Sequence, residues 1–293
     1  MNFRFALAAA ALFAASGNAW ADSCPSLVIE ASLQMATDEK GLVVVPATLA
    51  GEIKPMILDT GGSISEVTQR TVSELGLKPF MNQFGAYNAA GNPSESAVGI
   101  SPFALGNARA TSYTFRVANM TALSTRQEQA GSIGVDVLQA YDIDLDFGGH
   151  KLNLISPNHC YGRVIYWKAD AVAMVPLTPL PDGRVLVNVS VDGHPLKALL
   201  DTGSPQSTMS AEAARSLGVD QAYAGGAHSF NALALEGIAV SKPSIAIVRD
   251  LTDSSGRSID SSTGASMTLG VDVLKHLHAY IAYKEQKLYL TAR

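Results

Sequence analysis

Charge is scarce in this chain: only 16% of its 293 residues are Asp, Glu, Lys or Arg, and no Lys/Arg-rich run occurs. With 21 basic against 26 acidic residues, a polyanion has nothing to dock on, so nucleic acid is not an expected partner. Low charge beside 47% hydrophobic residues also excludes a disordered chain, which lacks the apolar surface to offset its ordering entropy. Cysteine is nearly absent, with 2 residues and no Cys-x-x-Cys, and there are only 6 scattered His. Neither a dithiol redox motif nor a zinc site is expected. The sequence His276-Leu277-His278 has no acid or Cys nearby at ligand spacing and reads as ordinary surface. The longest apolar run, Phe5 to Ala15, falls well short of the about 20 residues a membrane helix needs.

That run instead has the layout of an export leader. Arg4 precedes it, and Ala19-Trp20-Ala21 supplies small residues where a signal peptidase reads, so residues 1–21 are expected to be removed. The remaining chain is then expected in the periplasm or outside the cell, without stable membrane insertion. Export favours joining Cys24 to Cys160, the only available pair.

The chain is written twice. Gly41, Gly51, Asp59-Thr60-Gly61 and Leu75-Gly76 recur as Gly183, Gly193, Asp201-Thr202-Gly203 and Leu217-Gly218, all displaced by 142 residues. Gly134-Val135-Asp136-Val137-Leu138 recurs verbatim from Gly270 to Leu274, displaced by 136. The expected division is a first lobe over 22–160, a proline-rich extended connector over 161–180 and a second lobe over 181–293. Short β-branched runs such as Leu42 to Leu49 and Val185 to Val191 dominate. Helical patterning is confined to Ser65–Leu75, Met209–Leu217 and the turns after Gly134 and Gly270. An all-β, two-lobed architecture with a few short helices follows.

Each unit sends an apolar strand straight into Asp-Thr-Gly, after Met56-Ile57-Leu58 and after Ala198-Leu199-Leu200. One such turn is unremarkable, because Asp and Gly cap turns everywhere. Two at matched places of a repeated unit bring two carboxylates together if the lobes face each other.

The paired motifs resemble the aspartic peptidases, in the retropepsin-like branch by unit size, with both halves in one polypeptide as in pepsins. Ile133-Gly134 and Leu269-Gly270 stand where that family has its second landmark, with Ser132 and Thr268 making the match looser. The resemblance implies a bilobal acid-protease fold of two β-barrel lobes, a monomer, and an extended polypeptide as substrate. It makes Asp59 and Asp201 the catalytic dyad, with Thr60 and Thr202 bonding across the interface and Gly61 and Gly203 allowing close approach. Two acids about 3 Å apart share one proton, so a water between them is activated and no metal or organic cofactor is expected. Ser204 follows the second motif where Gly62 follows the first, which is expected to make Asp201 the charged member. Glycine-rich flaps are expected around Tyr87 and around Gly225 and Gly226. The other reading of the same cleft is an exported protein that holds peptides without cutting them.

Overall fold

The computed structural model describes residues 24–87, 93–118, 129–219, 225–252, 259 and 263–292. The expected leader lies outside them. The protein is mostly β, and its strands form two sheets. Alternation explains the first strand of each lobe: Val43, Val45, Ala47 and Leu49 point into the core of Val43–Leu49, and Val185, Val187, Val189 and Val191 do so in Val185–Val191. Each is one arm of a hairpin whose other arm is the motif-bearing strand, Glu52–Leu58 or His194–Leu200. The two-residue turns, Ala50-Gly51 and Asp192-Gly193, have positive φ at all four residues. That conformation matches the twist of the flanking strands and is why glycine stands second in both.

The lobes repeat the same path. In the first, Val43–Leu49 pairs with Glu52–Leu58, then Gly131–Ile133, Glu66–Val67, Tyr113–Val117 and Pro93–Ile100 follow across the sheet. In the second, Val185–Val191, His194–Leu200, Met267–Leu269, Thr208–Ser210, Ser244–Val248 and Ala227–Ser229 occupy those places. One apolar cluster runs through both, from Val45, Met56, Leu58 and Ile133 to Val187, Leu200, Met267 and Leu269.

A shared sheet fuses the lobes. Asp142–Asp146 of the first lobe pairs antiparallel with Leu277–Ala282 of the second, with Ile143 opposite Ile281. Lys151–Ile155 and Ile29–Gln34 extend it on one side, Lys287–Ala292 and Ala173–Pro179 on the other. The segment from His159 to Trp167 covers this sheet, with Val164, Ile165 and Trp167 packed over Ile155, Tyr280 and Tyr289. Cys24 and Cys160 are joined in a disulfide with Cα atoms 5.2 Å apart, tying the start of the described chain to this covering segment.

Three sequence-based expectations change. The helices expected at Ser65 and Met209 begin later, at Gln69–Glu74 and Ala211–Ser216, because the preceding residues are drawn into strands Glu66–Val67 and Thr208–Ser210. Thr68 and Ser210 then cap the helices, accepting from the backbone N–H of Thr71 and Ala213. The proline-rich stretch is extended, but Ala173–Pro179 is a strand of the shared sheet and not a free connector. His278 is not surface: its Nε2 lies 2.5 Å from Asp144 Oδ1, and its ring stacks 3.9 Å from that of Trp167.

Candidate active site

Both motif-bearing strands end in three buried apolar residues, so each aspartate arrives from a rigid element. Asp59 and Asp201 are 2% and 0% exposed. Beside each strand runs a parallel partner, Gly131–Ile133 or Met267–Leu269. The carbonyl of Ile133 accepts from Asp59 N–H at 3.0 Å, and that of Leu269 accepts from Asp201 N–H at 3.0 Å. The chain then loops past the end of that partner and returns on its far side, pairing Glu66 with Ser132 and Thr208 with Thr268. Each aspartate is therefore held at the crossing point of a loop.

Reciprocal threonine bonds join the two loops. Thr202 Oγ1 accepts from Thr60 N–H at 3.1 Å and donates to Leu58 O at 2.6 Å. Thr60 Oγ1 accepts from Thr202 N–H at 3.0 Å and donates to Leu200 O at 2.8 Å. All four bonds are buried and all cross between lobes, so they set the register of one aspartate against the other. The approach is close enough that a Cβ at Gly61 would stand 2.1 Å from Asp201 Cγ. Only glycine leaves room there for the carboxylate of the opposite lobe.

The residue that follows each motif differs between the lobes. Asp201 accepts from Gly203 N–H through Oδ1 and from Ser204 Oγ–H through Oδ2, both at 2.8 Å. The matching position in the first lobe is Gly62, where a Cβ would stand 2.7 Å from Asp59 Oδ2. The difference thus combines a missing hydroxyl with tighter space.

A repeated brace supports both crossings, and the sequence reading passed over it. Ser65 Oγ accepts from Gly134 N–H at 2.9 Å and donates to Asp136 Oδ1 at 2.7 Å, while Ser65 N–H donates to the same carboxylate. In the second lobe Ser207, Gly270 and Asp272 make the same contacts at 3.0 and 2.7 Å. Ser65 and Ser207 share the 142-residue displacement of the motifs, which was the available signal. Burial, reinforced by the neighbouring Asp136 carboxylate, raises the Tyr113 hydroxyl above its ordinary value and keeps it neutral.

A second missed feature is a buried ion pair in the first lobe. Strand alternation places Ile57, and with it Ser132 and Glu66, on the same sheet face as Asp59, while Met56 and Leu58 face the core. Glu66 pairs there with Arg116, and both are buried. The equivalent ladder pair in the second lobe is Thr208 and Ala246.

Of the candidate flap residues, Tyr87 ends the strand Phe80–Tyr87, which forms a hairpin with Pro93–Ile100. Gly225 and Gly226 exchange backbone hydrogen bonds with Ile247 and open the strand Ala227–Ser229. Among the described residues no group of three or more His, Cys, Asp or Glu is arranged to hold a metal ion.

The aspartyl protease family profile matches residues 45–137 and again 187–273, covering both loops. The chain belongs to the aspartyl protease family. Each match spans one Asp-Thr-Gly loop, its parallel partner strand and most of the short helix that follows. Among solved structures, basic 7S globulin from soybean is similar over 91% of this chain and 95% of its own, at 11% identity and a TM-score of 0.51. A retropepsin-like aspartic protease from Rickettsia conorii matches 43% of this chain and 96% of its own, at 20% identity and a TM-score of 0.33. No curated protein matches the sequence. The profile matches establish the family, and the likeness to basic 7S globulin shows the two-lobed fold.

Proposed function

We propose that this aspartyl protease family member is an exported, monomeric endopeptidase that hydrolyses peptide bonds in extended polypeptides. The observation that carries the reading is the junction itself: two buried aspartates locked in register by four threonine bonds, with the Asp201 carboxylate packed against Gly61. A turn-capping role for the acids would need neither the burial nor the cross-lobe exchange. One chain supplies both loops, which supports a monomer. The Cys24–Cys160 disulfide is consistent with an oxidising compartment.

The chemistry follows from two carboxylates sharing one proton. Asp201 carries the charge, held by the Gly203 N–H and the Ser204 hydroxyl, and takes a proton from a water lying between the acids. Asp59 gives its proton to the scissile carbonyl oxygen as the water oxygen bonds to carbon. The resulting tetrahedral gem-diol collapses when Asp201 returns its proton to the amide nitrogen. The C–N bond then breaks, and Asp59 recovers a proton from one hydroxyl. No acyl-enzyme forms.

The test is incubation of the exported protein with a defined peptide mixture at acidic pH, read by mass spectrometry. Internal cuts that a statine-type transition-state mimic suppresses are expected. Retention of intact peptides, with inhibitor-sensitive binding but no cuts, would show a peptide-holding protein instead.

A further inference from the structure

Away from the aspartate loops, a second set of titratable side chains is buried where the two lobes and the covering segment meet. His159, from the covering segment, has a side chain only 2% exposed; Asp142, from the first lobe, is at 1%, and Glu285, from the second, at 2%. His159 Nε2 lies 2.6 Å from Asp142 Oδ2. Its Nδ1 lies 3.1 Å from the carbonyl oxygen of Cys160 and 3.9 Å from Glu285 Oε1. Every one of these neighbours is an acceptor. A neutral imidazole has one N–H and one lone pair, so it can satisfy one side and must point its lone pair at an acceptor on the other. Only the doubly protonated ring donates in both directions.

Among the described residues, His159 is the cation that faces the two acids. Asp142 Oδ2 also accepts from Tyr280 OH at 3.1 Å, and its Oδ1 is buried with no hydrogen-bond partner among the described residues. Glu285 accepts from Gly162 N–H at 2.9 Å and from Tyr289 OH at 2.5 Å. The hydroxyl of Tyr283 is buried near Asp142 without a partner among the described residues. Burial, with the adjacent carboxylates, raises the hydroxyls of Tyr280, Tyr283 and Tyr289, so all three stay neutral. On the neighbouring strand position Asp144 is taken up by His278, Asn153 and Tyr166.

We propose that His159 is a proton-operated latch on the lobe seam. Protonated, it binds the covering segment, and through Cys160 the disulfide-tethered chain start, to acids contributed by both lobes. Deprotonated, it leaves Asp142 and Glu285 as two buried carboxylates without a cation, and the segment lifts from the shared sheet.

The titration signs agree with this geometry. Burial pulls the His159 imidazole down, but its hydrogen bonds to Asp142 and Cys160 and the charge of both acids carry it above its ordinary value. Its contribution to stability is therefore complete below about pH 6.5, the ordinary imidazole value, and is lost as pH rises through the folded value. Burial also raises Asp142, against the lowering effect of His159 and Tyr280. Protonating Asp142 is thus easier in the folded state, and acid does not break the latch. Both groups make the seam firmer as pH falls and weaker as it rises.

The test uses the full exported chain. Histidine ring resonances followed by NMR should show one ring, assigned to His159, titrating above about pH 6.5, and the melting temperature should fall between about pH 5 and about pH 9. His159→Gln, which cannot titrate, should flatten that fall while leaving peptide cleavage at acidic pH within about twofold. A His159 midpoint at or below the ordinary value overturns the latch from the wild-type protein alone, even if the variant does not fold. A fall in melting temperature of equal size in His159→Gln and wild type also overturns it. The latch rests on no catalytic assignment, so either outcome leaves the peptidase reading untouched.

Discussion

Replacing Thr202 with Val changes the junction between the aspartate loops while keeping side-chain shape almost constant. Two interlobe bonds disappear, those with Thr60 N–H and Leu58 O. Both orphaned backbone groups belong to fully buried residues, Thr60 and Leu58. Leaving a buried donor or acceptor unsatisfied costs about 1–3 kcal/mol, so the variant should lose about 2–6 kcal/mol. Against a typical total of about 5–15 kcal/mol this is a large fraction, equivalent to a melting temperature lower by roughly 5–20 °C. Activity should fall further than stability explains, because displacements of about 1 Å at a reacting centre cost about 100-fold. The assay pairs thermal unfolding by circular dichroism with kcat on an internally quenched peptide, measured well below the lowered melting point. Thr202→Ser keeps both bonds and loses one methyl, worth about 1 kcal/mol, so it should restore most of both readouts. A Val variant melting within about 2 °C of wild type with kcat unchanged would refute the claim that these bonds hold the aspartates in register.

Gly61→Ala should reduce kcat by about 100-fold or more, because its Cβ would stand 2.1 Å from Asp201 Cγ; near-normal turnover would mean the carboxylate does not sit there during catalysis. Ser204→Ala removes the 2.8 Å hydroxyl bond to Asp201 Oδ2 and should move the acidic limb of the pH–rate profile upward, since that bond favours the charged pair. An unmoved limb would remove Ser204 from the mechanism. The reciprocal change, Gly62→Ser, is not a clean counterpart, because a side chain there crowds Asp59 at 2.7 Å. Replacing Cys24 and Cys160 together by Ser opens a loop of 136 residues and should cost about 2–5 kcal/mol of stability, seen in denaturant unfolding, with kcat preserved. Loss of kcat in parallel would tie the tether to the active junction.

The features legible from sequence were those whose chemistry sits in contiguous residues repeated at a fixed displacement. Asp59-Thr60-Gly61 and Asp201-Thr202-Gly203 declare themselves in this way. So do Gly134 and Gly270, whose Cβ atoms would strike the backbone of the crossing loops at 2.8 and 2.6 Å. The disulfide was legible because only one pair of cysteines exists. What escaped was set by distant partners. Asp144 holds His278 from 134 residues away, and Asp142 reaches Tyr280 across 138. No local pattern marks a histidine as belonging to such an acid. Glu66 and Arg116 lie on strands 50 residues apart that become neighbours only through sheet order. The starts at Ser65 and Met209 read as the beginnings of the helices that follow, because the strand pairing to Gly131–Ile133 and Met267–Leu269 comes from residues about 60 positions away and leaves no local mark.

The central claim is that Asp59 and Asp201 act as one unit on a peptide bond, and turnover by the aspartate variants tests it most directly. Asp59→Asn, Asp201→Asn and the double variant should each fold, each bind a statine-type mimic measurably, and each cut the same peptide at a rate near background. The double loss should be no larger than either single loss, because removing one member of a catalytic unit already removes its function. Hydrolysis by either single variant at a rate near wild type would contradict the account.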